Sequence, residues 1–176
     1  MAQLTQDRSH VHQMRKALPG FSYPADWFIE DDEPVSQSPE HQRIEFRLQS
    51  ALFAWQERTK QENLLIRCET ACRWDRANPK VGVSPDVYIA EKPPNDPKTG
   101  RMTRSIRTWQ NGHSPPLLAI EIVSHDRPRK DYRDSPHKHG LLGTKELWVF
   151  DPELCGYTFD QAPVLLQVFK RAKNRK

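Results

Sequence analysis

Long apolar runs are missing from this 176-residue chain. The longest span about five to seven residues, far short of the roughly 20 a membrane-crossing helix needs. The first residues contain no apolar stretch of the kind that marks a secretory signal, so none is expected. Cysteine is scarce: Cys68 and Cys72 lie four apart and Cys155 is distant, an odd total of three. That spacing makes neither a CxxC pair nor a zinc framework. The thiols read as reduced core groups of a cytoplasmic protein. A glycine-rich phosphate loop and a GxGxxG turn are both absent, which argues against P-loop and dinucleotide chemistry. Apolar residues make up only 36%, and there is neither an internal repeat nor a low-complexity tract.

Charge and proline are plentiful instead. Charged residues reach 28% and prolines number 15, which fits one compact domain with long polar connections. The net charge is +4, but Lys170, Arg171, Lys173, Arg175 and Lys176 supply five of the 27 basic residues. The remaining 22 face 23 acidic ones, so the body is close to neutral. The pI of 9.0 therefore reflects a basic tail, read as a solvated terminus, and is weak evidence for nucleic-acid binding.

Residues 1–37 read as an irregular segment that docks on the core through Trp27, Phe28 and Ile29, with Asp31, Asp32 and Glu33 solvated. A single domain then spans 38–170, followed by the tail 171–176. Ser38 and Pro39 are a helix cap and a first-turn proline. Ile44, Leu48, Ala51, Leu52 and Trp55 recur at helical spacing up to about Thr59. The alternation from Leu64 to Trp74 predicts one strand with a buried face. Asn78-Pro79 marks a turn, and a second strand runs from Asp86 to Ala90. Residues 91–116 hold seven prolines and glycines besides Trp109 and read as an insertion loop. Leu117–Val123 is an apolar, central strand, and 124–134 a charged loop. Ser135-Pro136 opens a short helix that stops at Gly143, before strands at Leu147–Phe150 and Val164–Phe169. This order implies an α/β (α+β) domain, a mixed β-sheet core flanked by helices.

The chemistry is expected around Glu121. It interrupts an apolar strand, and an uncompensated buried carboxylate is costly unless a metal, a cation or a hydrogen-bond network answers it. Asp86, at the head of Pro85-Asp-Val-Tyr-Ile89, poses the same question. Two such acids on neighbouring strands could hold one hard divalent ion. Taken singly, each also reads as a solvent-facing acid at a strand end. His41 and Glu45 adjoin the apolar stripe of the first helix, where they also read as a helix-end hydrogen-bonding group and a surface ion-pair partner. Asp131 reads as a loop acid in a supporting position. Arg101, Arg104, Arg107 and Trp109 could touch a nucleic-acid backbone or stack on a base, or simply form a solvated loop with one docking tryptophan. Ser124-His125-Asp126 is no triad, since chain neighbours cannot form the relay. His137-Lys138-His139 is no metal motif, since adjacent helix positions point apart.

Pro85-Asp86, the strand ending Glu121-Ile-Val-Ser124, then Asp131, Lys138 and Glu146-Leu-Trp-Val-Phe-Asp-Pro152 resemble the bacterial Uma-two-type endonuclease family of the PD-(D/E)XK superfamily. The resemblance covers roughly residues 20–170 and implies a restriction-endonuclease-like fold. It implies that Asp86 and Glu121, together with the Ile122 carbonyl, bind Mg2+, with Mn2+ as a substitute. The superfamily lysine two residues after the second acid is replaced here by Val123. Lys138 on the following helix then matches a migrated lysine, with His139 where many members carry an aromatic residue. The superfamily's acid on the first helix maps to Glu45.

The expected function is therefore Mg-dependent hydrolysis of phosphodiester bonds in DNA, with a homodimer implied by the superfamily and no membrane or small-molecule cofactor. Two other readings stand beside it. One is a non-cleaving nucleic-acid- or partner-binding module, which Val123 favours. The other is an interaction protein without a nucleic-acid role, which the near-neutral body favours.

Overall fold

The computed structural model describes residues 22–30, 37–155 and 164–172. Helix α1 spans Pro39–Thr59. The Ser38 hydroxyl accepts the His41 backbone N–H at 3.1 Å, and Pro39 sits in the first turn, where no N–H is needed. Lys60 closes the helix in the left-handed conformation. The stripe of Ile44, Leu48, Leu52 and Trp55 is half-buried against β1 (Leu64–Arg67) and β4 (Val87–Glu91). Phe46 and Phe53, on the outer side, are exposed.

The main sheet has five strands. β1 and β4 are followed by β6 (Leu118–Ile122), β7 (Glu146–Phe150) and β8 (Leu166–Lys170), in that spatial order. The first three pair antiparallel. β6 then pairs parallel with β7, and β8 returns antiparallel. β6 is central, and its residues Ala119–Ile122 are buried. A parallel pair needs a crossover. Here the crossover carries helix α2 (Ser135–Leu142), which Gly143 ends at a φ of 94°.

The strand expected from Leu64 to Trp74 is two strands in two sheets. β1 ends at Arg67, and β2 (Cys72–Arg73) joins a smaller sheet between β3 (Gly82–Val83) and β5 (Ile106–Arg107). Glu69 takes a φ of 46° and gives its N–H to the Pro85 carbonyl at 3.0 Å, which turns the chain out of the first sheet. Gly82 is where β3 meets β2: a Cβ there would lie 2.9 Å from the Cys72 carbonyl. β5 lies within 91–116, so part of that long connection is a strand with Ile106 buried.

Trp27 docks the N-terminal segment. It is buried, with ring centroids 5.8 Å from Tyr23 and 6.0 Å from Trp74. Ile29 gives its N–H to the Lys80 carbonyl, and Arg73 donates to the Ile29 carbonyl at 2.8 Å. Phe28 is 43% exposed, and its backbone bridges to Val81. Asp31, Asp32 and Glu33 lie outside the described residues. At the other end Arg171, expected in a solvated tail, donates to the Gly140 and Thr144 carbonyls at the end of α2. All three cysteines are free. No described helix is long and apolar enough to cross a membrane.

Candidate metal centre

The β4–β6 register sets Val87 opposite Ile120. One step further along that antiparallel register, Asp86 falls opposite Glu121. Directly opposed residues share a face of the sheet, with Cβ atoms about 4.5–5.5 Å apart. Asp86 is anchored there: its Oδ2 accepts the Ile122 backbone N–H at 2.6 Å. The other oxygen, Oδ1, lies 3.2 Å from Nε2 of His41 in the first turn of α1. That partnership holds the His41 imidazole above its usual pKa, against the opposing effect of burial.

Glu121 is 2% exposed. Its Oε1 lies 2.8 Å from Nε2 of His139 on α2, whose Nδ1 lies 2.8 Å from the Thr144 hydroxyl. Burial first, and the negative charge of Asp86 second, push the Glu121 carboxyl up to about 8. Among the cations, Lys130 opposes this most, ahead of Lys138. Burial drives His139 down to about 3, so the imidazole is neutral.

A cleft of about 470 Å³ opens over this pair. Its walls include His41, Asp86, Ile122, Val123, Arg127, Lys130 and Asp131. Asp131 is buried, and its Oδ2 accepts the Ser124 N–H at 2.9 Å, closing the loop that follows β6. Burial raises its carboxyl to about 7, although the Ser124 hydrogen bond pulls the other way. The Lys130 ammonium stands 3.9 Å from Asp131 Oδ1.

Asp86, Ile122, His41 and Asp131 thus share one cleft, and Glu121 lies beneath it beside Asp86. Other expected residues lie elsewhere. Lys138 is not on the cleft wall: its amine is buried, 3.3 Å from the Asp26 carbonyl and 5.4 Å from the Trp27 ring centroid, while its charge still acts on Glu121. The reason is local. Lys130–Asp134 forms a single π-helical turn before α2, and the helix carries Lys138 toward the N-terminal segment while His139 meets Glu121. Glu45 neighbours Cys68, whose thiol it helps to raise, and does not line the cleft. Arg101, Arg104, Arg107 and Trp109 are also absent from the cleft wall. Arg107 belongs to β5 in the small sheet, and its N–H donates to His113 Nδ1 at 3.1 Å.

Sequence reasoning missed Lys130 and His139. Lys130 stood in a charged loop with no periodicity to orient it. His139 was set aside within His137-Lys138-His139 because adjacent helix residues diverge.

The donor set can be weighed against a metal. Among the described residues no group of three or more His, Cys, Asp and Glu is arranged to hold one, so a closed zinc-type cage is not formed there. Two carboxylates on adjoining strands match the small set that Mg2+ uses, since it keeps several waters. Asp86 and Glu121 repel each other, and a shared divalent cation would relieve this. The residues fit such an ion.

The family model described as "Putative restriction endonuclease", Uma2, matches residues 12–167. No curated protein matches the chain. Among solved structures, the chain is similar to a putative nuclease belonging to DUF820 from Anabaena variabilis. The two share 17% identity, with 92% of this chain and 84% of the other covered at a TM-score of 0.53. At that identity the likeness is one of fold, and the nuclease-type architecture agrees with the mixed sheet described above. With the family match extending over most of its length, the chain belongs to the Uma2 family.

Proposed function

We propose that this protein is a divalent-metal-dependent endonuclease that hydrolyses phosphodiester bonds in DNA. The observation that carries the reading is Asp86 on the wall of an open cleft with Glu121 opposite it beneath, two acids whose mutual repulsion calls for a cation. Family membership supports the nuclease class.

Asp86 and Glu121 would hold Mg2+ or Mn2+, with the Ile122 carbonyl as a third ligand. A bound divalent ion supplies Lewis-acid polarisation of the phosphate and a water of lowered pKa. The chain's own residues do the rest. The Ile122 N–H and His41 fix the two Asp86 oxygens. Lys130, on the cleft wall, supplies positive charge for the phosphate as negative charge builds in the transition state, the part that Val123 cannot play. Arg127 on the same wall gives a backbone contact to the incoming strand. Glu45 sits behind His41 and tunes its charge.

The non-cleaving alternative keeps one specific observation: Val123 fills the superfamily lysine position, and Lys138 is engaged by Asp26 and Trp27. Plasmid cleavage with Mg2+ or Mn2+, in wild type and Glu121→Ala, separates the two. Cleavage lost in the variant and in chelator supports the nuclease. Binding of DNA by wild type without cleavage supports the module.

A further inference from the structure

We propose that His139, braced by Thr144, is the positioning residue for Glu121: it takes Oε1 and leaves Oε2 as the oxygen for the ion. This rests on the reading of Glu121 as an ion ligand. Among the described residues Glu121 makes no other side-chain hydrogen bond. A glutamate has several rotatable bonds, and a partner on one oxygen removes that freedom before the ion arrives.

The donor and acceptor roles follow from the chemistry of the three groups. With an ion bound, Glu121 is an ionised carboxylate that only accepts, so Nε2 carries the imidazole hydrogen. Nδ1 is then an acceptor, and the Thr144 hydroxyl must donate to it. This arrangement pairs both ring nitrogens, the Thr144 hydroxyl and Oε1 in a buried site, where an unmade hydrogen bond is costly. The brace is built into the end of α2. The Gly143 and Thr144 N–H groups both donate to the His139 carbonyl at 3.1 Å, so the turn after the helix carries the hydroxyl back to the ring. Arg171 holds the Thr144 carbonyl at 3.3 Å.

The test is Mn2+ affinity of the full-length protein, measured by calorimetry or by paramagnetic resonance of free Mn2+, with folding checked by circular dichroism. Glu121→Gln should abolish binding. His139→Leu should weaken it about 10–100-fold. His139→Gln, whose amide can still donate to Oε1, should restore much of the loss. Thr144→Val should weaken binding and Thr144→Ser should not. Nitrogen-15 NMR of the Mg2+-loaded wild type should show His139 protonated at Nε2.

A folded His139→Leu with wild-type affinity overturns the positioning role while leaving the ion site standing. Should His139→Leu fail to fold, the Thr144 pair and the tautomer decide, and an Nδ1-protonated ring overturns the proposal. Wild-type affinity in Glu121→Gln, or no Mn2+ binding by wild type, overturns the ion site and the positioning role together.

Discussion

The side chain of Asp86 ties two strands together, because its Oδ2 accepts the Ile122 backbone N–H at 2.6 Å. One carboxylate therefore has a structural oxygen and a functional one. Asp86→Asn keeps an acceptor for that N–H and removes the charge. It should fold with near-native stability and fail to cleave DNA with Mg2+. Asp86→Ala should also fail to cleave and in addition lose about 1–3 kcal/mol in urea unfolding, since the N–H is left unmatched.

The two lysines should separate cleanly. Lys130→Ala should lower the cleavage rate about 100-fold or more, the scale for losing one transition-state charge partner. Its side chain is 53% exposed, so stability should change by less than about 0.5 kcal/mol. Lys138→Met should do the reverse. It removes the cation beside Trp27 and Asp26, so unfolding should become easier by about 1–2 kcal/mol, with cleavage close to wild type. Single-turnover rates and denaturant melts on both variants check this.

Metal should be required before DNA. The cleft wall carries Glu40, Asp86, Asp126, Asp131 and Glu153 against Arg127 and Lys130, so without a cation it repels phosphate. DNA affinity in Ca2+, used as a non-cleaving stand-in, should far exceed that in chelator. Saturating Mg2+ should also raise the melting temperature of wild type and leave that of Glu121→Gln unchanged. At 100 times the dissociation constant the gain is about 2.7 kcal/mol.

The ion-free protein should lose stability as pH rises. Asp131 has a folded pKa of about 7 against an ordinary 3.8, so it holds its proton longer when folded than when unfolded. Its contribution is full below about 3.8 and is lost as pH passes through 7. Glu121 adds a slope of the same sign up to about 8. Asp131→Asn, which retains an acceptor for the Ser124 N–H, should flatten part of that slope in melts run from pH 4 to 8 in chelator.

Several of these residues could be read in the sequence, and others could not. Helix α1 was visible because cap, proline and apolar spacing agree, and β6 because six apolar residues between Leu117 and Val123 surround a lone glutamate. The pairing of Asp86 with Glu121 was visible as two oddly placed acids, but the register that opposes them exists only between strands distant in sequence. The break at Glu69 was hidden because alternation runs through a left-handed residue unmarked by glycine or proline. β2, β3 and β5 have two residues each, too few to show a period. Lys138 was singled out by resemblance alone, whereas Lys130, in the π-helical turn before α2, lines the cleft. His139 was set aside because neighbours on a helix diverge, and that same divergence leaves it alone with Glu121.

β6 runs antiparallel to one neighbour and parallel to the other. Val123 still gives its N–H to the Phe150 carbonyl at 2.8 Å, and beyond it the chain leaves both ladders. Apart from Arg127, Lys130 and Asp131 on the cleft wall, that stretch can change composition without moving the strands that hold Asp86 and Glu121. Within such an architecture the chemistry is inherited with the sheet, while the choice of nucleic acid is free to drift with the loop.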